Sequence, residues 1–245
     1  MAKLAAIILA AGNSSRFKDR EKKPFVNLDG RAVWLRSAEL FIARSDIVQT
    51  MVVIAKEDEE TFRRRFGANL AFMNVQIVLG GKERQDSVAH ALNVLDDAVE
   101  LVAIHDAARP CITAEQVDAV CQTAANHGAA ILACPVGDTI KKANAQKCVE
   151  ATMPRERLWL AQTPQVFRKD WIVSAYHNAA QNNTKCTDDA QLVEALGHPI
   201  QIVEGNASNI KITVPSDLHL AEAILKSRPK PKSTSYHPFA DEAKW

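Results

Sequence analysis

Short apolar runs of strand length recur between residues 4 and 135 of the 245-residue chain, and each is followed by a more polar segment of helical periodicity. Strands that alternate with helices predict a parallel sheet, because a parallel neighbour is reached only through a crossover connection. The runs are nearly continuous Ile, Val, Leu and Ala, as expected where helices cover both faces of a sheet. The sequence therefore predicts a doubly wound, mostly parallel α/β fold. The predicted strands are residues 4–10, 50–55, 75–79, 101–105 and 130–135.

Seven segments carry apolar residues at helical spacing. The fourth opens with Thr113 and Gln116, which are three residues apart as in a capping box, where each side chain bonds the backbone N–H of the other residue. The predicted helices are residues 32–44, 58–66, 87–95, 113–127, 169–180, 188–196 and 216–227.

The domain organisation follows from where this pattern holds. Single α/β domains often reach about 250 residues, so one domain is predicted over residues 1–226. In residues 137–157 the pattern stops, and short β-like pieces around a polar turn predict a protruding hairpin arm. Residues 227–245 hold three of the ten prolines and little apolar material, which predicts a flexible tail.

Charge and cysteine content restrict the partners. The 30 Lys and Arg residues nearly balance 29 Asp and Glu residues, so no overall field attracts nucleic acid or a membrane surface, and we expect neither as a partner. The five cysteines form no C-x-x-C pair and are predicted to be reduced thiols. No apolar run approaches the ~18 residues of a membrane span, and the start shows no A-x-A cleavage pattern, so a cytoplasmic location is expected.

A loop of small residues follows the first predicted strand and carries Gly12, Arg16, Lys22 and Lys23. Loops at the carboxyl ends of parallel strands are where α/β sheets bind ligands, and small side chains let backbone N–H groups approach phosphate oxygens. The loop matches neither G-x-G-x-x-G nor a Walker sequence, which disfavours a dinucleotide oxidoreductase and a P-loop enzyme. Taken alone, it is equally consistent with an ordinary connection that carries solvated charges.

Further motifs give the loop a context. The A-A-G-x-x-x-R arrangement of residues 10–16, with a lysine beyond it, resembles the signature of nucleotidyltransferases that act on phosphorylated sugars or alcohols. The later motifs are GGKERQDSV (80–88), HDAARP (105–110), DTIKK (138–142), LWLAQTPQVF (158–167), TDDA (187–190) and EGNASNIKIT (204–213). Together and in this order they resemble the 2-C-methyl-D-erythritol 4-phosphate cytidylyltransferase family. The resemblance implies a Rossmann-like nucleotidyltransferase fold, transfer of CMP from CTP to that alditol phosphate, pyrophosphate release and a need for Mg²⁺ or another divalent cation.

The resemblance also implies roles for residues on the nucleotide side. Arg16 would grip the triphosphate, and Lys23 and Lys211 would contact the α-phosphate. Because the proline that usually precedes the loop lysine follows it here as Pro24, Lys22 and Lys23 could exchange roles. Ser14 stands where the family often has glycine. The remaining implied nucleotide contacts are Ala10, Ala11, Gly12, Gly81, Lys82, Ser87, Asp106 and Ala107.

On the acceptor side, the resemblance implies contacts from the arm, from TPQ and from TDDA. Arg suits a terminal phosphate and hydroxyl groups suit a polyol. In the family the arm crosses to a partner subunit, so a homodimer is implied in which Thr139 and Arg155 act in trans. No direct protein ligand to the metal is expected, although Asp106 could reach it through water. The other implied acceptor residues are Arg109, Thr163, Thr187 and Asp188.

The residues themselves suit this chemistry. A phosphate monoester is mostly dianionic at pH 7 and needs no general base, so the site must align and neutralise anions with Lys and Arg. His105 has no second histidine nearby in sequence and is predicted to pack or form hydrogen bonds. Three alternatives remain: a cytidylyltransferase for another alditol phosphate such as ribitol 5-phosphate, a non-catalytic CTP-binding relative, and a Rossmann oxidoreductase.

Overall fold

The computed structural model describes residues 2–12, 22 and 25–229. Within these ranges, seven strands form one central sheet and four strands form two small ladders. The central strands are β1 (Leu4–Leu9), β4 (Ile47–Ile54), β5 (Val75–Leu79), β6 (Leu101–Asp106), β7 (Ala129–Pro135), β10 (Trp159–Arg168) and β11 (Gln201–Glu204). The ladders pair β2 (Asn27–Leu28) with β3 (Arg31–Ala32), and β8 (Ile140–Ala143) with β9 (Val149–Met153). The helices are α1 (Val33–Ile42), α2 (Glu59–Phe72), α3 (Arg84–Leu92), α4 (Ala114–His127), α5 (Lys169–Gln181), α6 (Asp189–Ala195) and α7 (Ser216–Ser227).

The central strands lie in the order β11, β7, β10, β6, β1, β4, β5. Their pairings are parallel except for those of β10, which is antiparallel to both β6 and β7. The predicted, mostly parallel sheet is confirmed, and all five predicted strands form. Sequence analysis missed β10 and β11. The apolar run of β10 is interrupted by residues 162–165, where its ladder with β7 shifts register and Thr163–Pro164 is cis, and β11 is a short edge strand with no buried residue.

Helices cover both faces of the sheet, as the continuous apolar strands predict. Along β1, Ala6 and Ile8 face a core built with α1, α2 and α4, whereas Ala5 and Ile7 face a core built with α3, α5 and α6. Each large aliphatic side chain buried in this way stabilises the fold by roughly 1.5–3 kcal/mol. A smaller cluster around Val33 joins α7 to this body. The doubly wound interpretation is therefore confirmed.

Helix starts set the geometry of the loops that precede them. The predicted capping box of α4 is present, with Thr113 Oγ1 accepting from the Gln116 backbone N–H at 3.3 Å. In α3 a second capping box, between Glu83 and Asp86, starts the helix three residues earlier than predicted. This earlier start places Arg84 in the first turn of α3, at the carboxyl end of the sheet.

Residues 137–157 form the predicted hairpin. Strands β8 and β9 pair with each other and are almost entirely exposed. Asn144 Oδ1 accepts from two backbone N–H groups and closes the turn, and Arg155 donates to the Gly137 carbonyl at the base of the arm. Most of the predicted tail lies outside the described residues. Among the described helices, none is long and apolar enough to cross a membrane.

Candidate active site

The carboxyl ends of β1, β4, β5 and β6 meet at one edge of the sheet. Ala10 donates its backbone N–H to Val53, Gly80 donates to Ile54, and Ala107 donates to Leu9, at distances of 2.7–3.0 Å. These bonds bring the loop after β1, the GGKERQDSV segment and the HDAARP segment together, as sequence analysis predicted. Ala11 and Gly12 lie in the described start of the first loop, whereas Ser14, Arg16 and Lys23 lie outside the described residues.

Glycines allow two of these loops to approach closely. A Cβ on Gly80 would lie 2.7 Å from both the Ala11 Cβ and the Ser87 Oγ, and a Cβ on Gly81 would lie 2.3 Å from the Asp86 Cβ. The buried Ser87 hydroxyl accepts from the Gly81 N–H and donates to the Glu83 carbonyl, both at 3.1 Å. Ser87 therefore shapes the loop from within, while the neighbouring Lys82 is exposed on it. Contact of these residues with a base stays a prediction.

A buried carboxylate with three cations forms the centre of the site. Asp106 ends β6, and its Oδ2 lies 2.6 Å from Lys211 Nζ and 3.9 Å from Arg109 Nε, while its Oδ1 lies 3.4 Å from Arg84 Nε. Burial alone raises the pKa of Asp106, but the charges of Arg84, Lys211 and Arg109 outweigh burial and hold that pKa well below its usual range. Asp106 is therefore ionised at neutral pH, and the cluster carries a net positive charge.

Sequence analysis missed the ion pair between Arg84 and Asp189, which holds this cluster from a second side. Arg84 makes two hydrogen bonds, of 2.9 and 2.7 Å, to the fully buried Asp189, and Tyr176 donates to the same carboxylate at 2.5 Å. Bidentate pairing fixes the guanidinium plane, so Arg84 is held rigidly between Asp189 and Asp106. Both residues stand inside motifs that were recognised, GGKERQDSV and TDDA. Their pairing across 105 positions leaves no local signal in the sequence.

Thr163 and His105 lie behind the carboxylate. The Thr163 hydroxyl accepts from the Asp106 N–H at 3.0 Å and lies 3.2 Å from His105 Nδ1. Arg109 donates to the Asn209 carbonyl at 2.7 Å, and Asn209 donates to the Thr163 carbonyl at 3.0 Å. His105 thus packs and forms hydrogen bonds, as predicted. Thr163 is predicted to contact the acceptor substrate, and its hydroxyl is already hydrogen-bonded to the Asp106 N–H and to His105 Nδ1.

The remaining predicted acceptor residues divide into two groups. Asp188 caps α6 by accepting from the Gln191 N–H at 3.1 Å, and it also accepts from Gln165 at 2.7 Å, while Thr187 is exposed beside it. Thr139 and Arg155 are exposed on the arm, and the hydrogen bond of the Arg155 side chain stays within the arm. Within the described part of one chain, the arm residues do not join the Asp106 cluster.

Lys22 has a different environment from the cluster. Its Nζ lies 2.8 Å from Asp58 Oδ2 and 3.1 Å from Glu57 Oε1, both just beyond β4. Burial opposes protonation, but these two carboxylates more than offset it and raise the pKa of Lys22. Lys22 therefore stays charged, with its ammonium engaged by two acids.

Fold and site together place the chain in the class of α/β nucleotidyltransferases, which hold a nucleoside triphosphate against the carboxyl ends of parallel strands and use cations for the transfer. The family model described as "IspD: 2-C-methyl-D-erythritol 4-phosphate cytidylyltransferase" matches residues 4–227, and the chain belongs to this family.

Individual relatives agree with the family match. The chain is 44% identical over 229 residues to a 2-C-methyl-D-erythritol 4-phosphate cytidylyltransferase of Pelotomaculum thermopropionicum, covering 93% of this chain and 96% of the relative. It is 42% identical to the enzyme of that name from Rhodopirellula baltica, covering 91% and 95%. The crystal structure of 4-diphosphocytidyl-2C-methyl-D-erythritol synthase from Anaerococcus prevotii matches with a TM-score of 0.80 and 30% identity, covering 92% of this chain and 96% of that one.

Proposed function

We propose that this chain transfers the cytidylyl group of CTP to 2-C-methyl-D-erythritol 4-phosphate, giving 4-diphosphocytidyl-2-C-methyl-D-erythritol and pyrophosphate in isoprenoid precursor synthesis. The observation that carries the proposal is the cluster of Arg84, Arg109 and Lys211 around the carboxylate of Asp106, beside a loop of small residues. Even with Arg84 shared with Asp189, three cations against two carboxylates leave positive charge for anionic substrates. The names of the relatives supply the substrates.

The chemistry requires little proton transfer. An oxygen of the acceptor phosphate attacks the α-phosphorus, the new P–O bond forms, and the bond to the β-phosphate oxygen breaks as pyrophosphate leaves. Because the acceptor phosphate is mostly dianionic at pH 7, the nucleophile needs no base. Catalysis then depends on positioning and on stabilising the charge of the transition state.

Lys211 is the described cation best placed for the reacting centre. Its side chain is 44% exposed, whereas that of Asp106 is 10% exposed, so Lys211 lies between the carboxylate and the open site. A bound triphosphate would compete with Asp106 for this ammonium group. Lys211 would then stabilise charge at the α-phosphate together with Lys23, while Arg16 would hold the triphosphate. Groups of this kind supply several kcal/mol in a site that excludes water.

We also propose that the reaction uses Mg²⁺ or another divalent cation. Within the described ranges, no three His, Cys, Asp or Glu residues are grouped so that they could hold a metal ion. One carboxylate among cations fits an ion carried mainly by triphosphate oxygens and water, with Asp106 reaching it through water. Such an ion would neutralise the leaving pyrophosphate.

We propose that the arm forms a homodimer and completes the acceptor site of its partner. Support comes from its surface, where Val149 and Met153 are 64% and 41% exposed on a hairpin with no core of its own. Exposed apolar groups on a protruding element are typical of protein contacts. Arg155 and Thr139 would then reach the acceptor from the neighbouring subunit, opposite Arg109, Thr187 and Asp188.

A cytoplasmic location is proposed as well. All five cysteines are free, and burial raises the pKa of Cys111 to about 11 and that of Cys121 to about 12. Such thiols are unreactive, and unpaired cysteines are typical of reducing compartments.

One assay tests the proposed function. The protein is incubated with CTP and Mg²⁺ against the phosphates of methylerythritol, ribitol and erythritol, and pyrophosphate release is measured. We expect the highest kcat/KM with the methylerythritol phosphate. Preference for ribitol 5-phosphate would instead identify a cytidylyltransferase for another alditol, and absence of release with all three would refute the proposal.

A further inference from the structure

The buried pair of His105 and Thr163 is not explained by the chemistry above. His105 is fully buried, its ring lies 5.4 Å from that of Phe41 in α1, and its Nε2 lies 3.3 Å from the Arg109 carbonyl oxygen. Its Nδ1 lies 3.2 Å from the Thr163 hydroxyl on β10. The imidazole therefore connects Arg109 and Thr163, two residues that are predicted to bind the alditol phosphate.

The hydrogen bonds determine where the protons are. The Arg109 carbonyl oxygen can only accept, so we assign the hydrogen of the neutral ring to His105 Nε2, in competition with the backbone of Thr163 as a second acceptor. Burial lowers the pKa of His105 to about 4, with Asp106 and Arg109 as the charged neighbours acting in opposite directions, so the ring is neutral at pH 7. A neutral ring with Nε2–H leaves a lone pair on Nδ1. The Thr163 hydroxyl must then donate its hydrogen to Nδ1.

This arrangement also limits what Thr163 can offer. Its oxygen accepts the Asp106 N–H, and its hydrogen is used by His105, which leaves one lone pair. Thr163 can accept a hydrogen bond from a hydroxyl group but has no hydrogen to give to a phosphate. The same bonds hold both ends of the turn from Asp106 to Arg109, since Thr163 holds the first backbone N–H and His105 holds the last carbonyl.

We propose that His105 is a positioning residue that fixes the Asp106–Arg109 turn and restricts Thr163 to accepting from a hydroxyl of the alditol. The inference rests on the proposed function for its substrate. The arrangement of protons itself can be tested without any substrate.

The first experiment reads the tautomer directly. Long-range ¹H–¹⁵N spectra of ¹⁵N-histidine-labelled protein at pH 7 are recorded for the wild type, for His105→Gln to assign the signal, and for Thr163→Val. We expect an Nε2–H tautomer whose Nδ1 resonance moves when the Thr163 hydroxyl is removed. An Nδ1–H tautomer, an imidazolium or an unmoved Nδ1 resonance would overturn the proton assignment.

The second experiment separates positioning from a merely structural role. Gln places an amide near the Nε2 position and can still donate to the Arg109 carbonyl, whereas Asn is too short to reach it. We expect His105→Asn to raise KM for the alditol phosphate about 10-fold or more, since it frees the Arg109 end of the turn and small misplacements of binding groups are costly. KM for CTP should rise much less, because Thr163 still holds the Asp106 N–H at the nucleotide end of the turn. His105→Gln should recover most of this loss.

A control variant away from the site makes both outcomes interpretable. His127→Gln, on the exposed end of α4, should change neither KM value nor the His105 signals. Equal effects of His105→Asn on both KM values, or none, would refute positioning. If the wild-type protein released no pyrophosphate from CTP and the alditol phosphate, the proposed function would be refuted. The NMR result on the His105 tautomer does not depend on that activity and would remain valid.

Discussion

At the scale of single residues, the site is organised by opposite charges whose environments differ. Asp106 is nearly buried and Asp189 is fully buried, and Arg84 offsets the charge of both carboxylates. Removing one partner of such a pair leaves an uncompensated buried charge, which typically costs about 3–5 kcal/mol. Lys211 differs because its ammonium group is half-exposed and has Asp106 as its ion-pair partner in the described residues. Arg84 is therefore held in place by its two carboxylate partners, whereas the more exposed Lys211 is accessible to a substrate.

Lys211→Ala should lower kcat by about 100-fold or more while KM for either substrate changes less, because a charge that acts on the transition state is lost. Steady-state kinetics with both substrates varied measures this. Lys226→Ala serves as the control, since Lys226 is exposed on α7 and paired with Glu222. A variant at position 211 with near-normal kcat and a raised KM for CTP would show that Lys211 only binds.

At the scale of elements, the sequence predicted what local patterns encode. The continuous apolar strands and the helices with 3.6-residue periodicity were predicted correctly, because burial of the sheet on both faces produces these patterns locally in the sequence. Strand β10 was missed because its centre is polar, and Gln162, Thr163 and Gln165 are buried there through contacts with distant residues. The same limit applies to the site. The contact of Asp188 with the acceptor substrate stays a prediction, and the pairing of its neighbour Asp189 with Arg84 depends on the packing of α5 and α6, which no local pattern encodes.

Gly80→Ala tests the close approach of the loops after β1 and β5. The added Cβ would lie 2.7 Å from the Ala11 Cβ and the Ser87 Oγ, so we expect destabilisation of about 1–3 kcal/mol and a raised KM for CTP. Urea unfolding and kinetics measure the two effects. Gly67→Ala is the matched control, because a Cβ there meets nothing within 4 Å and α2 should gain up to about 1 kcal/mol. If both variants were stabilised alike, the close approach would not constrain the loops.

At the scale of the whole molecule, the proposed dimer makes each site depend on two chains. Arg155 lies on the arm, whereas Lys211 and Asp106 lie in the body of the same chain. Under two-fold symmetry each body would receive the arm of its partner. Loss of a body residue and loss of an arm residue should therefore complement each other.

Lys23→Ala and Arg155→Ala homodimers are each expected to be nearly inactive. A mixed dimer holds one site with both defects and one site with neither. Random pairing makes about half of the dimers mixed, so roughly a quarter of all sites should recover after co-expression. Activity is compared with the heterodimer content measured by native mass spectrometry. Heterodimers no more active than their parents would show that Arg155 does not act across the dimer.

The antiparallel strand β10 has a consequence for how the two substrates meet. Strands β1, β4, β5 and β6 come from residues 4–106, and strands β7, β10 and β11 come from residues 129–204. Among the described strands, the two sets pair with each other only where β10 lies against β6. That seam is set by the pairing of Gln165 with Ile104 and of Val166 with Ala103. A slip of two residues would carry Thr163 about 7 Å away from Asp106. The register of this backbone ladder therefore sets the distance between the half of the protein proposed to hold the nucleotide and the half whose Thr163, Thr187 and Asp188 are proposed to contact the alcohol.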